Sequence, residues 1–439
     1  MKQEKSDVQD VGPETEFGVR ARALFRDMTL SAQKITRATD YDAFLDDPYG
    51  AYSKLRATNP AYWSPGRNAW LVTSYEDITD IERSSAISFS ERCQSRFALL
   101  SQRRRALIPT VCQYLPRHLG HLDADDHSQL RPLIDVALSP SRVRRFEPMI
   151  RRIVAAQIDA LSSRSELDLV EDLFVPLPLS IMIDVLGLDA ADAPQLDAWS
   201  RRILGPFDFE AAPDVVLCEK EAATAGMASK FREALKTQKA DGVLWALGNA
   251  AAEANIPEDD AICIAIQILT GAYESLRHAV ALGLHAALGN PAWTAANTQG
   301  DGALSDAAID ELLRFDSVVQ RVTRTASQTI ECQSAVIARN ERIFLVTGAG
   351  NRDPACFNAP DTLSTNRPPQ PHLAFGIGRH YCPGARLARM VMRIVLSRLL
   401  AADPPFVIDP NDAIFLRSEA NRGVQAWPVR GRVARQGGL

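Results

Sequence analysis

One cysteine, Cys382, lies in a segment rich in glycine, Phe375-Gly-Ile-Gly-Arg-His-Tyr-Cys-Pro-Gly384. The apolar residues that follow it have helical spacing and are Leu387, Val391, Ile394, Val395 and Leu399. A thiolate just before a helix gains from the positive end of the helix dipole and from backbone N–H groups. Because the segment supplies no base to activate a nucleophile, Cys382 suits a metal ligand better. The alternative is a buried structural cysteine.

A second group of polar residues lies in the apolar stretch 261–288, which predicts a helix long enough to cross a domain. Within it, Gly271-Ala-Tyr-Glu-Ser275 places a carboxylic acid, Glu274, beside an alcohol, Ser275. Such a pair can relay protons to a reacting group. The alternative is a Glu-Ser pair inside an ordinary helix.

Composition excludes several classes of protein. The chain has 439 residues, a formal net charge of −5 and seven cysteines without a C-x-x-C pair. The charge argues against general nucleic-acid binding, and the scattered cysteines are typical of a reducing compartment. The N-terminus has no apolar core of a signal peptide, and residues 261–288 contain too many polar residues for lipid. We therefore expect a cytoplasmic protein that binds neither membranes nor nucleic acid.

The order of predicted elements favours an α+β protein that is mostly helical. Residues 1–42 are polar and loosely patterned and are predicted to be a flexible extension. The predicted helices are 130–138, 149–161, 169–186 (interrupted by Pro176 and Pro178), 261–288 and 306–314, the last capped by Ser305. The predicted strands are 69–75, 318–323, 328–331 and 342–347.

The cysteine segment resembles the haem-binding motif of the cytochrome P450 family, F-G-x-G-x-H-x-C-x-G, and matches it at every fixed position. Further family motifs occur in order between about residues 47 and 429. The resemblance implies the cytochrome P450 fold, with haem b between the long central helix and the cysteine loop. It also implies that residues 43–439 form a single haem domain.

The resemblance implies a role for each matched residue. Cys382 would bind the iron, and Phe375, Gly376 and Gly384 would shape its loop. His127, Arg131, Arg324 and His380 would contact the haem propionates, with Arg321 as a rival to Arg324. Glu311, Arg314 and Arg367 would form a buried triad that stabilises the fold.

Gly271, Glu274 and Ser275 match the oxygen-activation motif of the family. Gly271 would open the helix above the iron, and Glu274 and Ser275 would deliver protons. The motif departs from the usual pattern because Ala272 replaces a common glycine and Ser275 replaces threonine, whose χ1 rotor is stiffer.

The resemblance implies oxidation of a small apolar molecule in secondary metabolism, by hydroxylation or epoxidation, with O₂ and two electrons. No dinucleotide-binding motif is visible, so the electrons would come from a ferredoxin or flavodoxin with its reductase. The electron donor would dock on a basic patch formed by arginines 379, 386, 389 and 393. The alternative is that these arginines form a solvated helix face. Residues 91–119 would roof the substrate pocket, with further walls at 269, 271, 318–319 and 414–416.

Three other functions stay open at this point. The chain could be a peroxide-driven peroxygenase of the same fold, against which Glu274 counts. It could be an oxidative coupling or rearrangement enzyme, which the departures at Ala272 and Ser275 leave open. It could also be a haem sensor or carrier without catalysis.

Overall fold

A computed structural model of the chain describes residues 44–205, 208–236, 242–298, 303–368, 370–401 and 406–431. The predicted extension 1–42 lies outside the described residues. Within the described ranges, no helix combines the length and the apolar character that a membrane span requires.

Helices account for most of the described chain. In chain order they are α1 Pro48–Thr58, α2 Tyr75–Arg83, α3 Glu91–Ala98, α4 Gln102–Ala106, α5 Pro109–Tyr114, α6 Ala124–Ala137, α7 Pro140–Leu161, α8 Pro176–Leu186, α9 Ala193–Leu204, α10 Asp214–Lys236, α11 Val243–Glu253, α12 Glu258–Leu288, α13 Pro291–Asn297, α14 Asp306–Phe315, α15 Thr347–Gly350 and α16 Ala385–Leu399. A π-helical turn, Val170–Phe174, precedes α8, so the predicted helix 169–186 is in two pieces, as its prolines indicated.

The strands form small sheets. They are β1 Ala61–Ser64, β2 Ala69–Val72, β3 Ile87–Ser88, β4 Glu166–Asp168, β5 Val322–Ala326, β6 Ile330–Cys332, β7 Ala335–Ile337, β8 Arg342–Leu345, β9 Phe406–Val407, β10 Ile414–Phe415, β11 Val424–Ala426 and β12 Pro428–Gly431. The largest sheet has the order β1-β2-β8-β5-β3, in which β2 and β8 are parallel and the other pairs antiparallel. This sheet carries Arg324 on β5, directly across from Ile343 on β8.

The long helix α12 is the centre of the helical part. Most of its residues between Asp260 and Ala287 are buried, and it packs against α8, α11, α14 and α16. A helix that is apolar on nearly all sides is stable only inside protein or lipid, and here the neighbouring helices supply the protein. The core cluster that contains α12 extends from Tyr114 to Val429.

Some predicted elements have different bounds in the structure. The strand expected at 318–323 begins only at Val322. Residues 318–320 instead bond to a loop, because Gln320 N donates to Ala420 O and Arg422 N donates to Val318 O. The helix expected from residue 149 begins at Pro140 and continues through Pro148. Ser305 caps α14 as expected, since its hydroxyl accepts a hydrogen bond from Ala308 N.

The three residues Glu311, Arg314 and Arg367 make the contacts that the sequence suggested. Both oxygens of Glu311 accept hydrogen bonds from Arg314, at 2.7 and 2.8 Å, and Arg367 Nε donates to Glu311 at 3.1 Å. Arg314 also donates to the carbonyl of Asn351, whose side-chain oxygen accepts a bond from Leu373 N. The triad is thereby linked to the segment that leads into the cysteine loop.

We predict that Glu311→Ala lowers the free energy of unfolding by about 3–5 kcal/mol, because it leaves two buried guanidinium groups without their partner. Urea unfolding measures this change. The matched control is Asp159→Ala, which removes an exposed pair with Arg398 and should cost no more than about 1 kcal/mol. Equal losses in the two variants would contradict the structural role of Glu311.

Candidate haem site

The cysteine loop is held by backbone geometry. Gly376 and Gly378 have φ of +70° and +73°, a region that residues with a Cβ rarely adopt. A Cβ on Gly378 would also lie 3.2 Å from the carbonyl oxygen of Glu82. Cys382 N donates to Phe375 O at 2.9 Å, which closes the loop, and helix α16 begins immediately after it with Gly384 as its cap.

Arg131 braces this loop from helix α6. Its Nη1 donates to the carbonyls of Arg379 and Tyr381, at 3.2 and 2.8 Å, and its Nε donates to Asp135. Arg131 also lines the cavity between this loop and helix α12, so its contact with a propionate stays a prediction. The hydrogen bonds give Arg131 a further role, because they fix the carbonyls on either side of His380.

A cavity of about 430 Å³ lies between helix α12 and the cysteine loop. Its lining includes most of the predicted site: His127, Arg131, Gly271, Ser275, Arg324, Phe375, Gly376, His380, Cys382 and Gly384. Glu274 is not among the lining residues. Apolar side chains, among them Leu276, Ala279 and Leu387, complete the walls.

The polar lining of this cavity has a cluster of cationic and imidazole side chains. Arg324 and His380 both contact the ring of Phe89, since the guanidinium carbon is 4.3 Å from the ring centre and the imidazole stacks at 3.6 Å. Among the described residues, Arg324 Nε and His380 Nε2 are buried without a hydrogen-bond partner. Burial, followed by the positive charges of His127 and Arg324, lowers the pKa of His380 to about 2. Such a site favours an anionic group.

Among the lining residues that the structure describes, Glu82 is the one that opposes this charge, and sequence reasoning missed it. It forms a buried ion pair with Arg324 at 2.8 Å. Burial raises the pKa of Glu82 and lowers that of Arg324, and the attraction within the pair opposes both shifts. The two residues are 242 positions apart in sequence, so no local pattern could have revealed the contact.

The thiol of Cys382 is in a mixed electrostatic environment. Burial raises its pKa, whereas backbone hydrogen bonds at Gly384 and Ala385 and the charges of Arg131 and Arg389 lower it. These donors are the groups that hold negative charge on a sulfur. A bound cation at the sulfur would complete the stabilisation of the thiolate.

Helix α12 contributes the opposite wall through Gly271 and Ser275. The helix is continuous at Gly271, where the Ser275 hydroxyl donates to the Gly271 carbonyl. The space expected at Gly271 is present because the side chain is missing, since a Cβ there would meet no described atom within 4 Å.

Glu274 points to a different set of partners. Its Oε1 accepts hydrogen bonds from Arg277 at 2.8 Å and His278 at 3.1 Å. Burial alone would raise the pKa of Glu274, but these bonds and charges hold it below its ordinary value. Its side chain is 32% exposed, so a charged carboxylate connects the region beside Ser275 with solvent.

A second and larger cavity, of about 1020 Å³, adjoins the first. Both are lined by Gln267, Gly271, Val319 and Val322, so they meet at the middle of α12. Of the predicted pocket walls, Gly271, Val318 and Val319 line a cavity, whereas Leu269 and residues 414–416 line neither. The predicted roof is present as well, since residues of α3 and α5 line the large cavity.

Comparison with known proteins agrees with this geometry. The family model for cytochrome P450 matches residues 300–402, which contain the triad, Arg324 and the cysteine loop. The chain is 29% identical over 397 residues to cytochrome P450 107B1 of Saccharopolyspora erythraea, covering 89% of this chain and 96% of that one. It is 27% identical over 400 residues to 6-deoxyerythronolide B hydroxylase of the same organism, covering 89% and 97%. The family model and these relatives, which span most of the chain, indicate the cytochrome P450 family.

The solved structures agree on the fold. A crystal structure of P450BioI in complex with an acyl carrier protein ligated to hexadec-9Z-enoic acid superimposes with a TM-score of 0.77 at 24% identity, covering 89% of this chain and 99% of that one. Together with the named relatives and the family model, this fold indicates a cytochrome P450 monooxygenase with haem b as its cofactor. The residues fit that group, because a sulfur, apolar walls and unpartnered buried donors line one cavity.

We predict that Arg324→Gln speeds haem loss by about tenfold, since a hydrogen bond to a charged group contributes about 1.5–3 kcal/mol. Transfer of haem to an excess of apomyoglobin measures the rate. The control is Arg321→Gln, because Arg321 lines the large cavity and stacks on Phe344 at 3.8 Å.

The same comparison is repeated in a Glu82→Gln background, which removes the carboxylate that Arg324→Gln would leave buried and unpaired. If Arg321→Gln loses haem as fast as Arg324→Gln in both backgrounds, the assignment of Arg324 to the propionates is wrong.

Proposed function

We propose that this P450 is a cytoplasmic enzyme that hydroxylates or epoxidises the apolar part of a small organic molecule in secondary metabolism. O₂ is the oxidant, and a ferredoxin or flavodoxin with its reductase supplies two electrons. The observation that carries the proposal is the shared cavity. Cys382 lies on one wall, Gly271 and Ser275 lie on another, and a roomy second cavity leads to them.

Haem, when bound through Cys382, supplies the activation of O₂. The chain provides the surroundings in which that activation is productive. The loop carbonyls held by Arg131 fix the backbone around Cys382, and the apolar walls exclude water. The missing side chain at Gly271 leaves room where the two cavities meet.

Protons are delivered by Ser275 and Glu274. The Ser275 hydroxyl lines the cavity and its proton is held by the Gly271 carbonyl. Glu274 is charged at neutral pH, and both of its described contacts use Oε1, which leaves Oε2 as the atom that would take up a proton from solvent. Proton flow from Glu274 to Ser275 then supports reductive use of O₂ rather than use of peroxide alone.

Two of the comparisons support the substrate class. One relative is named a hydroxylase of 6-deoxyerythronolide B, and one structural neighbour is complexed with a fatty acyl group on a carrier protein. Both names describe organic molecules with large apolar parts. The large cavity of this chain, about 1020 Å³, offers space for a molecule of that kind.

The electron donor docks on the outer side of the cysteine loop. Arg379 and Arg386 are exposed, and among the described residues neither side chain has an ion-pair partner. Arg389 and Arg393 are paired instead, with Asp310 and with Asp306 and Glu147 respectively. The basic patch expected from sequence is therefore reduced to Arg379 and Arg386, and these two steer an acidic donor.

We predict that the purified holoenzyme consumes NADH through a surrogate ferredoxin and its reductase, and incorporates ¹⁸O from ¹⁸O₂ into product. Ser275→Ala and Glu274→Gln should lower product formed per NADH by about 100-fold, since a positioned proton donor contributes about 10²–10⁴-fold. Released hydrogen peroxide per NADH should rise by at most the amount by which product per NADH falls. Mass spectrometry and a peroxide assay measure both quantities.

The control is Ser275→Thr, which keeps the hydroxyl on a stiffer rotor and should retain coupling. Turnover with peroxide alone, unaffected by Glu274→Gln, would contradict the proposal in favour of a peroxygenase. Absence of any oxygenated product with either oxidant would favour a haem sensor or carrier.

A separate prediction concerns docking. Electrostatic steering raises association rates by about 10–10³-fold, so Arg386→Glu should slow reduction by an acidic ferredoxin about tenfold at low salt and little at high salt. Stopped-flow reduction under CO measures the rate. Arg398→Glu, at the far end of α16, is the control, and an equal effect there would reject a local docking site.

A further inference from the structure

The walls of the large cavity divide into an apolar and a cationic part. Near helix α12 they include Ile266, Gly271 and Val319, with Ile203 and Leu204 from the end of α9. Elsewhere the lining includes the cations Arg92, Arg96, Lys220, Arg321 and Arg342. A pocket meant for a purely apolar molecule would not need several positive charges.

Among the described residues, Arg92 is the part-buried cation of this lining without a partner, whereas Arg342, which also lacks one, is exposed. Arg92 lies on α3, where it makes neither a hydrogen bond nor an ion pair with the part of the chain that the structure describes. Burial, followed by the positive charges of Arg324 and Arg96, lowers its pKa to about 10. A desolvated guanidinium beside other cations is costly unless an anion binds there.

Two further cations reinforce the charge at Arg92. Arg96 follows it by four residues, hence on the same face of α3. Arg342, on β8, is close enough that its charge contributes to a lowered pKa of Arg96, after the larger effect of burial and against the attraction of Asp208. The three arginines therefore come from two elements that meet at the cavity.

The other polar lining residues form no described ion pair with Arg92. Glu341 keeps its negative charge, but its Oε2 accepts hydrogen bonds from Trp70 Nε1 at 2.7 Å and Ala338 N at 2.8 Å. Burial lowers the pKa of His118 to about 4 and of His121 to about 3, so both are neutral at pH 7. Glu91 remains as the only other carboxylate among the lining residues that the structure describes.

Several other cations of this region have partners within the chain. Arg103 and Arg104 pair with Asp214, and Arg105 donates to Phe97 O. Lys220 donates to the carbonyls of Ile203 and Gly205. These cations have hydrogen bonds or ion pairs within the chain, as expected for side chains that stabilise the fold, whereas Arg92 has none described.

We propose that the large cavity binds an amphipathic molecule whose anionic end, a carboxylate or a phosphate, is held by Arg92, with Arg96 and Arg342 adding to the positive field. A guanidinium offers parallel N–H donors that match both anions. The apolar body then extends along α12 towards Gly271, where the haem cavity begins. The statement that the apolar end of this molecule is oxidised rests on the proposed function. Binding of the anionic end does not, because binding is measured without turnover.

The test is ligand binding to the holoenzyme by isothermal titration calorimetry. The probes are dodecanoate, its methyl ester and dodecyl phosphate. We expect both anions to bind the natural enzyme at least tenfold more tightly than the ester. Arg92→Gln should reduce this preference to less than twofold and leave the affinity for the ester unchanged.

Arg103→Gln is the matched control, because this arginine of the neighbouring helix α4 lines neither cavity. It should keep the full preference for the anions. Haem content, measured as the pyridine haemochrome, is compared in all variants. If Arg92→Gln loses haem instead of the anion preference, Arg92 serves the haem propionates and the proposal is overturned.

Other outcomes also decide the matter. Equal affinity for acid and ester in the natural enzyme, or no binding of dodecanoate and dodecyl phosphate, would overturn the proposal. So would an Arg92→Gln variant that binds the free acids normally but binds an acyl carrier protein weakly, since the arginine would then face a protein. Anion preference without oxygenated product would leave this proposal standing and reject the proposed function.

Discussion

The structure depends on holding one sulfur, that of Cys382, at a fixed place on the wall of a buried cavity. Two glycines at positive φ form the turn, and the bond from Cys382 N to Phe375 O closes it. Behind the loop, Asn351 links Leu373 to the buried pair of Glu311 and Arg314. Because a buried ion pair tolerates little displacement, this network transmits rigidity from the helical core to the loop.

Cationic side chains outnumber carboxylates at three places around the cavities and the cysteine loop. At each of these places we propose that an anionic partner binds. Arg324, His127 and His380 meet a single carboxylate, Glu82, at the cavity that fits haem. Arg92 lines the adjoining cavity without a described partner, and Arg379 and Arg386 are exposed near the cysteine loop. Arg324 keeps its pair with Glu82 and would add a propionate to it, whereas Arg92, Arg379 and Arg386 have no described partner and can bind a substrate or an electron donor.

The sequence predicts much of this site because the motifs are short and contiguous. The cysteine loop, the pair Glu311 and Arg314 and the long helix all follow from spacing and from the family resemblance. Contacts between distant segments were not predictable, as Glu82 with Arg324 illustrates. The strand expected at 318 failed because its residues bond to a loop about one hundred positions away. The direction of Glu274, towards Arg277 and His278 rather than the cavity, also needed the folded helix.

The most direct test of the account is the absorption spectrum of the reduced, CO-treated holoenzyme. Ligation by Cys382 predicts the long-wavelength band of a thiolate-bound haem, and Cys382→Ser should abolish that band. Cys356→Ser, which changes another part-buried cysteine, should retain it. Absence of the band from the natural protein, or its persistence in Cys382→Ser, would contradict the assignment of Cys382 as the iron ligand.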